Sequence, residues 1–322
     1  MRNLNFINYT KDTHEDFSEI LSGLQNEEQK KINSKFFYDD KGSRLFDKIT
    51  KLSDYYPTKK ELEIYEKKYQ EIKTYLPPNS VVIEFGSGSN KKISKLLNII
   101  EKPEEYISID ISKEFLLKNA KELATNFPNI KITAVCADFG DTYNLSKVVK
   151  DKKSKIGFFP GSTIGNFCPN DAKDLLVKFS KILGSNNYLI IGVDLKKDEK
   201  ILEKAYNDSE GITALFNKNI LDGINKTCGT LFDTGNFDHR AFFNKNKSRI
   251  EMHLVSKTEQ TVEILNEKIT FKQGESIHTE NSYKYSVNSF KDLAESASFE
   301  IKKVLTDQKS FFGVFFLKVK DS

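Results

Sequence analysis

A short acidic and glycine-rich stretch, Glu84-Phe85-Gly86-Ser87-Gly88-Ser89-Asn90, follows the apolar run VVIEF and precedes KKISKLLNII. Glycines at such a junction let the backbone turn tightly and approach a ligand closely. Asp110 lies 24 residues after Gly86, near the end of the next apolar run, YISIDIS, and Asp138-Phe139 ends a third, KITAVCADF. A carboxylate at the end of the second strand can accept both ribose hydroxyls of a nucleoside. Asp138 can accept an adenine amino group, and Phe139 can pack on the ring. Singly these signals are weak. The glycine turn would serve a dinucleotide as well, or be only a turn, and Asp138 could cap a helix. Together they place acidic groups at the C-terminal ends of successive strands. GSGSNK also lacks the GxGxxG spacing wanted by a pyrophosphate. S-adenosylmethionine carries no phosphate, so a looser turn with more carboxylates suits it, and methyl transfer is favoured over dinucleotide chemistry.

The elements around these residues alternate. Strand patterns at 81–85, 106–112, 131–139, 155–167 (this one running into a loop) and 187–195 are separated by helical patterns, which predicts a parallel, doubly wound α/β sheet. The chain closes with a helix, VNSFKDLAESASF, and two strands, IKKVLTDQ and SFFGVFFLKVK. After Leu195 the pattern changes to a helical stretch and then β-like runs, which predicts an antiparallel sheet. The expected division is an N-terminal helical segment over 1–60 that contributes to the substrate domain, a cofactor-binding domain over 61–195, an inserted α+β substrate-binding domain over 196–285, and completion of the first sheet over 286–322.

Bulk properties exclude several classes. The chain has 322 residues, long for one core, with 30% charged residues and a net charge of +4 from 50 basic and 46 acidic residues. Lys and Glu are interspersed, with no basic stripe interleaved with aromatics, so no nucleic-acid partner is expected. The start has no basic region followed by an apolar run, and no stretch is long enough to span a bilayer. Cys136, Cys168 and Cys228 are odd in number and widely spaced, and His14, His239, His253 and His278 show no ligand spacing. A reduced, cytoplasmic monomer without a metal is expected.

Three further segments carry unusual chemistry: SDYYPTKKE (53–61), PGSTIGNF (160–167) and GESIHTENSYKYS (274–286). Taken singly, the tyrosines read as core packing with a wet hydroxyl, and Glu280 as a surface strand residue. In order along the chain, FYDDKGSRLFDKITKLSDYYPTKKE, IEFGSGSNKK, PGSTIGNF, AYND–GITALFNKN and ESIHTENSYKY closely resemble the histidine Nα-methyltransferases of the ergothioneine pathway. The resemblance runs from about residue 30 to the C-terminus.

The resemblance implies a Rossmann-like class I methyltransferase sheet, S-adenosylmethionine as cofactor, and L-histidine as the small-molecule substrate, methylated up to three times on its α-amino group. A related N-methyltransferase acting on another amino acid, such as tryptophan, is the alternative. Residue by residue it implies that Gly86, Lys92, Asp110, Asp138 and Phe139 contact the cofactor. Tyr56 lies near the α-amino group, Asn166 and Tyr206 hold the amino and carboxylate groups, and Glu280 with Ser282 reads the imidazole. Tyr38 and Gly161 line the same pocket, and Tyr56 and Asn166 are the catalytic candidates. Asn281 stands where the family favours an apolar residue. Glu280 and Ser282, two apart on a strand, share a face, so both can reach one ring.

Overall fold

The computed structural model describes residues 3–10, 14–149 and 154–321, and the side chains of all these except His14 and Glu15. The chain forms two compact units, one of Met1–Thr10, Pro57–Lys196 and Lys284–Ser322, the other of Lys11–Tyr56 and Lys197–Tyr283.

In the first unit, β1 (Leu4–Asn8), β2 (Val81–Phe85), β3 (Glu105–Asp110), β4 (Lys131–Cys136), β5 (Lys155–Phe159) and β6 (Tyr188–Asp194) run parallel. The chain then passes through β7 (Phe237–Asn244), β8 (Arg249–Ser256), β9 (Gln260–Ile264), β10 (Glu267–Phe271) and β11 (Ser276–Tyr283) of the second unit. It returns to the first sheet as β12 (Phe299–Thr306) and β13 (Phe312–Val319). The order is β1-β4-β3-β2-β5-β6-β13-β12, with β13 antiparallel to both its neighbours. The central strands are apolar runs because helices cover both faces, and every residue of β2 is buried. Strand order reverses between β2 and β5. The loops after these strands therefore open at the switch point where doubly wound sheets hold ligands.

The helical start expected from the sequence is instead a strand. Leu4 and Phe6 pack on the core, and Asn3 Nδ2 lies 3.1, 3.2 and 3.1 Å from the carbonyls of Ala124, Phe127 and Ile130. That anchor holds a short, mixed-polarity segment against the edge of β4, and a helix follows only at His14–Leu24.

In the second unit β11, β8 and β7 form an antiparallel sheet, and β9 pairs with β10. The helix Ile212–Cys228 packs on helix Asp40–Ile49, and Phe37 stacks on Phe216 with centroids 4.5 Å apart. Asp39 caps helix Asp40–Ile49, accepting from Gly42 N at 2.7 Å. Asp208 accepts from Ile212 N and Thr213 N at 2.9 and 2.8 Å and so starts the other. Among the described residues, no helix is long and apolar enough to cross a membrane.

Candidate functional site

The first unit gathers the residues read as cofactor contacts. Gly86, at φ +78°, and Ser87 donate their N–H groups to Ile109 O at 3.0 and 2.9 Å, which ties the glycine turn to the end of β3. A Cβ added at Gly86 would meet the Phe139 ring at 3.6 Å, whereas one at Gly88 would meet nothing within 4 Å. Asp110 ends β3 and accepts from Ser112 N at 2.8 Å. Burial pushes its carboxyl up to about 7, against the pull of the Ser112 and Ile111 N–H groups. Glu84 is wholly enclosed. Burial drives it up to about 8, although Tyr106 donates to it and the Lys92 charge opposes the rise. Asp138 is exposed, and its Oδ1 accepts from Gly140 N at 2.7 Å, which leaves Oδ2 outside that turn.

This rim is rich in acceptors. Asp110 and Asp138 supply carboxyls, with Glu84 enclosed behind them, and Asn90 Oδ1 is buried with no hydrogen-bond partner. Lys92 is paired with Glu61 at 2.5 Å. A pyrophosphate would meet mostly lone pairs here. A phosphate-free nucleoside that offers ribose hydroxyls, an amine and a sulfonium fits the donor–acceptor balance, so S-adenosylmethionine suits these residues. It would lie along Gly86, Asp110, Asp138 and Phe139.

The loop after β5 has a strained backbone. Gly161 sits at φ +81° and Ser162, not a glycine, at φ +61°, a conformation costing a side-chain-bearing residue about 1 kcal/mol or more. Gly161 N donates to the Glu61 carboxylate at 3.0 and 3.2 Å, and Ser162 Oγ accepts from Asp194 N at 2.8 Å. Asp194 is in turn paired with Lys284 at 2.8 Å, both side chains being at most 1% exposed. Asn166 closes the 3-10 turn Thr163–Asn166 that follows.

The second unit gathers Tyr56, Tyr206, Glu280 and Ser282, with Tyr38 nearby in sequence to its aromatic cluster. Tyr206 Oη donates to Ser282 Oγ at 2.7 Å. His239 Nε2 lies 2.9 Å from Tyr206 O, and its Nδ1 2.9 Å from Asn217 Nδ2. Since the amide is a donor, Nδ1 accepts and Nε2 donates. Burial holds the ring neutral by pushing its pKa down. Tyr55 packs edge-on to Tyr206 at 6.2 Å, while Tyr56 Oη accepts from Lys197 Nζ at 2.8 Å. Tyr38 packs edge-on to Phe46 and Phe216, each at 5.9 Å. In AYND, Asn207 and Asp208 are structural: Asn207 Nδ2 donates to Ala241 O at 3.1 Å, and Asp208 caps a helix. Of the four, Tyr206 is the one whose side chain reaches the residues of β11, through Ser282.

Glu280 and Ser282 pair across β8 with Met252 and Ile250. A register shift between His278 and Glu280 reverses the usual alternation, so His278 pairs with His253, on the face opposite Glu280. Sequence spacing correctly put Glu280 and Ser282 on one face but gave no sign of the bulge. It also missed Lys197, which stands out only once its ammonium is seen against Tyr56.

On that opposite face Glu251, His253 and His278 bring ligand-type atoms within 4.8 Å of one another. Arg249 Nη2 and Nε already bind Glu251 Oε1 at 2.6 and 2.8 Å. The two imidazoles stack face to face, 4.6 Å apart and 9° from parallel. Their in-plane lone pairs therefore run side by side rather than converge, which suits a polar network better than a metal.

Residues 16–319 match the model of a family described as histidine-specific methyltransferase, SAM-dependent. The chain is 36% identical over 273 residues to histidine N-alpha-methyltransferase of Mycolicibacterium smegmatis, covering 83% of this chain and 84% of that one. It is 32% identical to histidine N-alpha-methyltransferase of Mycobacterium tuberculosis, covering 92% of each. Ergothioneine biosynthesis protein 1 of Schizosaccharomyces pombe is 30% identical over 84% of this chain, which spans 36% of that protein.

Proposed function

The chain belongs to the histidine-specific, S-adenosylmethionine-dependent methyltransferases, and from that premise we propose that it methylates the α-amino group of L-histidine up to three times, the first reaction of an ergothioneine-type pathway. One observation carries the substrate reading: Glu280 and Ser282 share a face of β11, and Ser282 Oγ is already bonded to the Tyr206 hydroxyl at 2.7 Å. A carboxylate accepts an imidazole N–H, and a hydroxyl serves the second ring nitrogen. An indole offers one N–H and no acceptor nitrogen, so it could engage only one of these groups, which disfavours the tryptophan alternative.

S-adenosylmethionine, when bound, would supply an electrophilic methyl carbon and a neutral thioether leaving group. The chain's task is to present a neutral amine lone pair in line with that carbon's bond to sulfur. Tyr56 and Asn166 are the residues assigned to the amino-acid head group. Lys197 only donates, so Tyr56 Oη accepts from it and keeps its own O–H as a donor. A neutral phenol cannot retain the ammonium proton. Tyr56 therefore donates its O–H to the substrate carboxylate, and the ammonium proton leaves to water. Positioning then supplies most of the acceleration, where effective molarities reach about 10⁵ M. The tyrosine rings tolerate the growing cation through cation–π attraction.

The test is calorimetric titration of histidine in the presence of S-adenosylhomocysteine, repeated with Glu280→Ala. Binding that weakens by about 1.5–3 kcal/mol in the variant supports the substrate and the imidazole-reading role. If histidine fails to bind while S-adenosylhomocysteine still does, the histidine assignment falls and the cofactor assignment stands.

A further inference from the structure

We infer that Glu61 is a positioning residue which fixes, through one buried carboxylate, both the lysine assigned to the cofactor and the loop that carries Asn166; the inference rests on those two assignments. Glu61 is 0% exposed. Its Oε2 lies 2.5 Å from Lys92 Nζ and 3.0 Å from Gly161 N, and its Oε1 lies 3.2 Å from the same N–H. No other residue in the described site joins the helix after the glycine turn to the loop after β5.

The surroundings are built for this carboxylate. A Cβ on Gly192, on β6, would stand 2.4 Å from Glu61 Oε1, so the glycine leaves the space the carboxylate fills. A Cβ on Gly161 would stand 3.3 Å from Lys92 Nζ, which shows how closely the loop backbone and the ammonium approach. Lys92 lies in the first turn of helix Asn90–Ile99, where no acidic residue stands. The helix dipole disfavours a cation there, so the ammonium needs Glu61 to stay. A buried carboxylate is itself costly unless paired. Glu61 and Lys92 each hold the other in an otherwise unfavourable place. That arrangement serves no core-packing purpose an apolar pair would not serve better. It does fix where one positive charge and one backbone N–H donor lie, on the helix and the loop that flank the switch point of the sheet. The next residue of the loop is pinned independently, by the Asp194 N–H donating to Ser162 Oγ.

The test is the affinity for S-adenosylhomocysteine, measured calorimetrically on the full chain for Glu61→Gln, Lys92→Met and the double variant, with steady-state kinetics on histidine alongside. Glu61→Gln should weaken S-adenosylhomocysteine by roughly tenfold or more. That loss should disappear in the Lys92→Met background, while the rise in histidine KM, which comes through Gly161, persists there. Gly192→Ala leaves every charge in place and should reproduce the Glu61→Gln pattern by displacing the carboxylate, and Glu61→Asp should recover part of the loss. Additive losses from Glu61→Gln and Lys92→Met, or folded variants with unchanged affinity and histidine KM, would overturn the inference. If the wild-type chain turns over no histidine, the substrate reading has failed instead, and the binding cycle still decides the role of Glu61 toward Lys92.

Discussion

Thr279 Oγ1 lies 2.6 Å from Asn217 Oδ1 and 3.0 Å from Met252 O, so the residue inside the β11 bulge is held from two sides. Asn217, wholly buried, donates in turn to His253 O at 3.0 Å and toward His239 Nδ1. The extra residue of the bulge turns Glu280 to the face of Ser282 and leaves His278 on the other. Thr279→Val keeps the shape and removes the hydroxyl, which leaves Asn217 Oδ1 without its donor, at a cost of about 1–3 kcal/mol. We expect a lower Tm and weaker histidine binding, with the affinity for S-adenosylhomocysteine unchanged, and Thr279→Ser should restore both. Unaltered histidine affinity in a destabilised Thr279→Val would show that the bulge does not set the aim of Glu280.

Asp110 links cofactor binding to pH. Its folded pKa is raised, to about 7 from an ordinary 3.8. Its contribution to stability is thus full below the ordinary value and is lost as pH rises through about 7. Ribose hydroxyls donate to the anion, so binding should expel the Asp110 proton. Calorimetry in buffers of different ionisation enthalpy should find release approaching one proton near pH 6 and fading by about pH 8.5. Asp110→Asn should abolish that release and weaken S-adenosylhomocysteine by about 1.5–3 kcal/mol. Release that survives the substitution would belong to Glu84, the other raised carboxyl of this rim.

Lys197 should act on the substrate carboxylate through Tyr56. Its Nζ is 2.8 Å from Tyr56 Oη and 4.4 Å from the ring centroid, which makes the phenol a stronger donor. Lys197→Met should weaken histidine by roughly tenfold and leave histamine, which has no carboxylate, unaffected. Equal losses for both ligands would reduce Lys197 to a packing role.

Much of the sheet was legible because parallel strands buried on both faces are apolar runs, and VVIEF, YISID and KIGFF are each cut off by glycine, proline or polar turns. β1 was not legible. LNFIN has neither the continuous apolar run nor the strict alternation of a strand, and it becomes one through Asn3 and the edge of β4. On the candidate site, spacing gave the shared face of Glu280 and Ser282, and strand ends gave Asp110 and Phe139. The bulge at Thr279 has no sequence mark, since a one-residue register shift depends on partners as distant as Asn217. Glu61 was hidden for a similar reason: within PTKKELEIYEK it reads as one more helix carboxylate, and only Gly192 and Gly161 reveal where it points.

The stacked imidazoles predict acid sensitivity of the second unit. Burial and the neighbouring His253 push His278 down to about 4, and burial also lowers His253, whose Nε2 lies 3.2 Å from Glu251 Oε2. The charges facing them are Glu251 and Arg249 on β8 and Arg240 on β7, with Arg249 fixing Glu251 at 2.6 Å. Two folded-state pKa values below the unfolded 6.5 mean that stability is full above about 6.5 and is lost as pH falls toward about 4. Glu251, lowered to about 2, adds its own loss in the same direction as pH falls further. After allowance for partial screening, His278 alone should account for on the order of 2 kcal/mol between pH 7 and pH 4. Asp110 opposes this trend, so the wild-type slope by itself does not isolate the histidine. The comparison that does is urea unfolding of wild type and His278→Asn at both pH values. Asparagine can still donate to Glu280 O, the present partner of His278 Nε2 at 3.1 Å, but takes up no proton. The variant should lose less stability than wild type on acidification. Equal losses would place the acid sensitivity outside the stack.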